Sequence, residues 1–221
     1  MSLARRLSAE AIGTALLTAA VVGSGVMAQR LSPANEAVAL LANTGATVAI
    51  LAVLIALLGP VSGAHFNPLV SVAVAILRLR RWKEMSAYVL VQFLSAGAGT
   101  ALAHTMFSLP LIEASTHPRS GVGVWLSEVV ATAGLLLVVL GHRRARDVPW
   151  MVAAWIGAGY WFTASTSFAN PAVTVARSLS NTFCGIRPLD VPGFVASELA
   201  GMAMAILLAR LLFARCPAAG R

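Results

Sequence analysis

SGAHFNPLVSVA, residues 62–73, and STSFANPAVTVA, residues 165–176, align almost residue for residue. Each turns from polar to apolar at an Asn-Pro pair, Asn67-Pro68 in the first and Asn170-Pro171 in the second. The apolar part of each is too short to cross a ~30 Å hydrocarbon core, which takes about 20 helical residues. Proline suits a first helical turn, where its missing N–H has no bond to lose, so each stretch reads as a half-helix starting at Asn-Pro. Two such elements in matching places of two halves point to a duplicated, inverted architecture with its site at mid-bilayer.

The rest of the chain agrees with that reading. Of the 221 residues, 58% are hydrophobic and 11% charged, and the mean hydropathy is +0.82. A soluble domain carries about 25% charge. The apolar residues come in runs near span length, which predicts an integral membrane protein. Spans are predicted at about 7–27, 37–58, 83–107, 122–141, 149–166 and 191–213. The second ends at Gly59-Pro60, where proline opposes further helix. With six spans, the first half-helix enters from the cytoplasmic side and the second from outside, as an inverted repeat requires. The predicted fold is therefore an all-α membrane protein of six transmembrane helices and two re-entrant half-helices. Residues 1–115 form the first three-span repeat and 116–221 the second, inverted one. Two further alignments support the duplication: AEAIGTALL with SEVVATAGLLL pairs Glu10 with Glu128, and YVLVQFLSAGAG with FVASELAGMAMA pairs Gln92 with Glu198.

The net charge of +8 is placed as topology demands rather than as a nucleic-acid surface. Twelve of the 16 basic residues cluster at Arg5 and Arg6, at Arg78, Arg80, Arg81 and Lys83, at Arg143, Arg144 and Arg146, and at Arg210, Arg215 and Arg221. These groups fall at alternate ends of the spans, which sets both termini in the cytoplasm. Arg30, Arg119, Arg177 and Arg187 are then on the other side. The basic residues serve topology and contact with anionic lipid, and no nucleic-acid partner is expected. Cys184 is expected outside and Cys216 inside, so the two cannot pair. No disulfide framework or metal-ligand spacing is present, and no cofactor is expected.

A half-helix that begins at Asn-Pro leaves its first N–H groups without partners and carries partial positive charge there. Two such ends meeting at mid-bilayer repel cations, hydronium included, and offer donors to a neutral polar solute. The amides of Asn67 and Asn170 add to those donors. A solute held by both is reoriented, which breaks a proton-conducting file of water. Glu10 and Glu128 are carboxylates inside spans, costly unless partnered. They are read as acceptors for backbone N–H groups of the non-helical stretches leading into the half-helices, with a proton relay as the other role open to them. His65 is either pore-lining or loop-bracing. The glycines at 13, 45, 97, 99, 157, 159 and 201 are read as close helix contacts.

SGAHFNPL and FANPAVTVAR, in the two halves of a six-span chain, resemble the signature pair of the aquaporin / major intrinsic protein family. The carboxylates of spans one and four match that family's pattern as well, and the resemblance covers about residues 10–209. It implies a pore motif made of Asn67, Pro68, Leu69, Asn170, Pro171 and Ala172. It also implies a homotetramer in the inner cell membrane, each subunit with its own pore for passive two-way flow of water or small uncharged solutes.

Two departures bear on selectivity. Asn-Pro-Leu stands where the family has Asn-Pro-Ala, so Leu69 either repacks the half-helix contact or narrows the centre. The family's arginine immediately after the second motif is here Val173. The family's four filter positions fall by spacing on Thr47, Ala158, Ser167 and Val173, none large and none charged. The filter is therefore expected to be wide and to pass glycerol-like polyols, urea, or neutral metalloid hydroxides such as arsenous or antimonous acid. Filters lacking arginine and followed by VTVAR resemble those of bacterial members associated with arsenical permeation. Arg177 follows Val173 by one helical turn, about 6 Å outward. It is either a positive group at the outer mouth or a cation serving the half-helix C-terminus.

Other classes are weaker. A coupled secondary transporter also uses inverted repeats and broken helices but needs coupling-ion ligands, for which only Glu10, Glu128 and Glu198 are available. A water-selective channel would place larger filter residues and the arginine, and a junction protein with an occluded pore rests on Leu69 alone. An enzyme is not expected, since neither a nucleophile–base pair nor a metal cluster is visible.

Overall fold

The computed structural model describes residues 1–142 and 144–213. Arg143, Arg215, Cys216 and Arg221, which enter the charge and cysteine readings, lie outside the described residues. Helices α1 (Leu3–Leu31), α2 (Glu36–Ser62), α4 (Trp82–Met106), α5 (Val122–Gly141) and α8 (Val191–Phe213) are long and apolar enough to cross a membrane. Between them lie α3 (Pro68–Ile76), α6 (Val148–Phe162) and α7 (Pro171–Arg177). No strand occurs among the described residues. The protein is an all-helical, multi-pass membrane protein.

Two span boundaries differ from the sequence reading. α2 continues through Pro60 to Ser62. Pro60 removes one donor and crowds the carbonyl one turn back, and only two more residues of helix follow it. The helix stops at Gly63, whose φ of +94° is the left-handed cap geometry that glycine adopts freely, with its N–H donating to the Gly59 carbonyl at 2.9 Å. α6 has 15 residues, roughly 22 Å at 1.5 Å per residue, and is shorter than the span expected at 149–166. Hydroxyls compete with the helix here: Thr163 and Ser165 both accept from the Ser167 N–H, at 3.1 and 3.2 Å.

α1 packs on α2 and α4, α5 packs on α6 and α8, and α2 meets α6 between the two groups. The half-helices α3 and α7 each lie against α4 and α8 and touch one another. Gly99 lets α4 reach the Ala15 carbonyl of α1, where a Cβ would collide with backbone. Gly201 does the same between α8 and α5, since a Cβ there would sit 2.6 Å from the Val129 carbonyl oxygen. Gly45 has open space around it and Gly97 almost so, which removes both from the set of close contacts expected from composition.

The polarity is that of a membrane protein. Leu41, Leu57, Leu94, Leu126, Leu207 and Leu211 are all at least 60% exposed, an exterior suited to lipid or a second apolar surface. Glu10, Gln92, Glu128 and Glu198 are sealed inside at 0% exposure. Polar groups at that depth must find partners, and those partners build the site.

Candidate functional site

Both half-helices start at the Asn-Pro pairs because asparagine caps and proline opens them. Asn67 Oδ1 accepts from the Leu69 N–H at 2.9 Å, and Asn170 Oδ1 accepts from Ala172 and Val173 at 3.1 and 3.3 Å. Each amide then reaches across to the other half. Asn67 Nδ2 donates to the Ala169 carbonyl at 2.7 Å, and Asn170 Nδ2 donates to the Phe66 carbonyl at 2.8 Å. This exchange fixes the orientation of both amides and uses one of the two N–H groups on each. The second N–H of each amide is left for the cavity that both residues line.

The chain leading into each half-helix is irregular, with left-handed φ at Ala64 (+49°) and Phe66 (+47°), and at Thr166 (+63°), Ser167 (+52°) and Ala169 (+47°). None of these is glycine, and such conformations cost on the order of 1–3 kcal/mol each unless the surroundings impose them. Buried carboxylates impose them. Glu10 accepts from the N–H groups of His65 (2.9 Å) and Phe66 (2.8 Å), from the Ser62 hydroxyl (2.7 Å) and from Gln92 Nε2 (2.8 Å). Glu128 accepts from the N–H groups of Phe168 (2.9 Å) and Ala169 (2.8 Å). Glu198 adds a third carboxylate, accepting from the Asn170 N–H at 3.0 Å and the Thr174 hydroxyl at 2.7 Å.

A cavity of about 940 Å³ runs along these segments, from His142 and Arg146 at one end, past Asn67 and Asn170, to Thr47, Tyr160 and Arg177 at the other. One wall is apolar, built from Leu17, Val21, Leu51 and Ile55 of one group of helices and Leu135, Val152 and Ile156 of the other. The lining also takes in residues 63–67 and 167–170, the segments that lead into the half-helices. His65 lines the cavity, with Nδ1 2.9 Å from the Ser71 hydroxyl, and so both faces the lumen and braces the turn.

Of the residues placed by spacing in the outer filter, Thr47, Ser167 and Val173 line the cavity. Ala158 does not: it is exposed on the outside of α6. Tyr160 takes the place on α6, 4% exposed, with its hydroxyl 3.2 Å from Thr47 Oγ1. The lumen face of α6 is Val152, Ile156 and Tyr160, a one-turn spacing present in the sequence that would have located this tyrosine. The lumen near the expected filter positions therefore includes one large side chain, where the sequence led to none. Leu69 is absent from the lining and packs with Val70, Leu136, Met202 and Ile206, so it repacks the half-helix contact and leaves the centre open. Ala172 is fully buried against Ala96 and Ala176. Arg177 lines the cavity, and its Nε donates to the Cys184 carbonyl at 2.5 Å rather than to the last carbonyls of α7.

Comparison with known proteins places this arrangement. Residues 1–160 match the family described as Major intrinsic protein. The chain is 56% identical over 214 residues to the aquaglyceroporin AqpS of Rhizobium meliloti (strain 1021), covering 95% of this chain and 91% of that protein. It is 30% identical over 208 residues to the glycerol uptake facilitator protein of Bacillus subtilis (strain 168), covering 83% and 72%. The X-ray structure of the aquaglyceroporin from Plasmodium falciparum has the same fold, with a TM-score of 0.67 at 22% identity over 95% of both chains.

Proposed function

This chain belongs to the major intrinsic protein family and is a passive channel for small solutes and water; we propose that its pore passes glycerol-like polyols and neutral metalloid hydroxides such as arsenous acid. The observation that carries this reading is the makeup of the outer end of the lumen. Thr47, Tyr160, Ser167 and Val173 line it, none of the four charged, with Arg177 one turn beyond Val173. Val173, at the family's usual arginine position, leaves room that a guanidinium would fill. The facing hydroxyls of Thr47 and Tyr160 supply a polar edge, while Ser167 Oγ is turned away against Gly159.

The same reading makes residues 1–115 and 116–221 inverted halves of one pore, supported by the reciprocal bonds of Asn67 and Asn170. It places the chain in the inner membrane with both termini cytoplasmic, and it groups four copies through their exposed leucine faces. A coupled transporter is disfavoured because Glu10 and Glu128 are occupied by backbone N–H groups, leaving them poor ligands for a coupling ion. The test is stopped-flow swelling and solute uptake in proteoliposomes with proton and sodium gradients collapsed. Glycerol and arsenous acid entering faster than in empty vesicles is the expected result. Flux of water alone, or flux that disappears with the gradients, overturns it.

A further inference from the structure

Arg177 is the one fixed positive charge on the lumen wall at this end among the described residues, and its partners leave it unneutralised. It is 3% exposed. Its Nε is spent on the Cys184 carbonyl, and its Cζ lies 3.4 Å from the centre of the Phe168 ring. Its two terminal nitrogens have no hydrogen-bond partner among the described residues, yet they are not sealed off from the cavity. One face of the guanidinium is thus stacked and one edge pinned, which aims the remaining two-pronged edge at the lumen.

The charges nearby do not cancel it. Half-buried Arg119 lies 5.2 Å from the same Phe168 ring, with its Nε on the Gly185 carbonyl. Burial and the neighbouring Arg177 lower the Arg119 pKa to about 10, so it is still a cation at neutral pH. Asp190 is engaged by Arg187 and by the Arg119 N–H, and Glu128 by the Phe168 and Ala169 N–H groups. A guanidinium buried without a carboxylate costs several kcal/mol. Within a membrane protein such a residue marks a ligand or ion path by default. Neutral hydroxyls would be served by neutral donors, whereas a free guanidinium fork matches two oxygens on one edge of an anion.

We propose that Arg177 is an oxyanion-binding station in the lumen, one turn outside Val173. It takes small monoanions that present two oxygens on one edge, either a planar carboxylate or a tetrahedral oxyacid monoanion. Phe168 and the Cys184 carbonyl act as positioning groups for the fork. This rests on the chain being a solute pore, but the site is testable without flux.

Purified protein is melted in detergent at constant ionic strength in chloride, in formate, or at pH 6 in monobasic phosphate. Proteoliposomes are assayed for glycerol swelling in the same salts. The expected result is a higher Tm in an oxyanion than in chloride, with glycerol swelling slowed several-fold by the same ion. Formate alone acting assigns a carboxylate site, and phosphate alone a tetrahedral one. Arg177→Gln is expected to lose both effects, each measured against that variant's own chloride values. Arg177→Lys, which keeps a charge and a donor for Cys184 but not the fork, retains only part of them and serves if the glutamine variant does not fold. Equal Tm in all three salts, or an oxyanion effect that survives loss of the arginine, overturns the proposal. A Tm response without glycerol flux instead removes the neutral-solute reading and leaves the site.

Discussion

Glu198 accepts a hydrogen bond from the Thr174 hydroxyl at 2.7 Å, four residues beyond Asn170; Gln92 meets Ser71 at 3.1 Å, four residues beyond Asn67. The two halves thus brace their half-helices at the same turn with different chemistry. Gln92 donates its other interaction to Glu10, whereas Glu198 lies beside Glu128 and its Oε2 has no partner.

Substitutions at the three carboxylates should therefore differ in sign of effect. Hydrogen bonds to a charged group contribute roughly 1.5–3 kcal/mol each, so Glu10→Gln and Glu128→Gln should each lose at least that much stability. Both place an amide N–H against backbone donors. Glu198→Gln keeps an acceptor for Asn170 and Thr174 and offers Glu128 a donor, and it should be neutral or stabilising. Thermal melts in detergent decide this; a Glu198→Gln variant as unstable as Glu10→Gln contradicts it.

Val173→Arg restores a guanidinium to the filter, one turn from Arg177 and on nearly the same face. Added bulk and like charge should slow glycerol and arsenous acid entry by about tenfold or more, which corresponds to roughly 1.4 kcal/mol on the entry barrier. Water flux should be spared in part. Unchanged solute uptake in this variant would falsify the claim that position 173 sets the width.

Tyr160→Phe removes the hydroxyl facing Thr47 and keeps the ring. A single hydrogen bond is worth about 1 kcal/mol net, so glycerol flux should fall roughly fivefold relative to water flux. Ala158→Leu, on the outside of the same helix, should leave that ratio alone. The opposite pattern in paired swelling traces would return the filter position to Ala158.

Gly99→Ala and Gly201→Ala push a methyl into backbone of the neighbouring helix, which cannot move aside as a side chain can. Each should cost about 1–3 kcal/mol. Gly45→Ala, with open space around it, should be harmless or slightly stabilising by helix propensity. Comparing the three melting temperatures checks the packing directly.

Much of this protein is legible in its sequence, because membrane spans and helix starts are decided locally. Long apolar runs must be helical where no water satisfies the backbone. An Asn-Pro pair caps and opens a helix whatever surrounds it, so Asn67 and Asn170 locate α3 and α7 without any tertiary contact. A carboxylate in a span requires donors, and the irregular stretches before the half-helices are the nearest supply. Packing decided the rest. Whether Ala158 or Tyr160 faces the lumen depends on the rotation of α6, and whether Leu69 lines the pore or the α8 contact depends on how α3 is seated. The partner of Arg177 lies in the loop at Cys184, and no spacing rule brings that carbonyl to a helix that ends at residue 177. The two Asn-Pro stretches declare a pore by their own chemistry; the rotation of α6 and the path of the loop after α7 choose the side chains that a solute meets, because those are set by side-chain packing between elements distant in the chain.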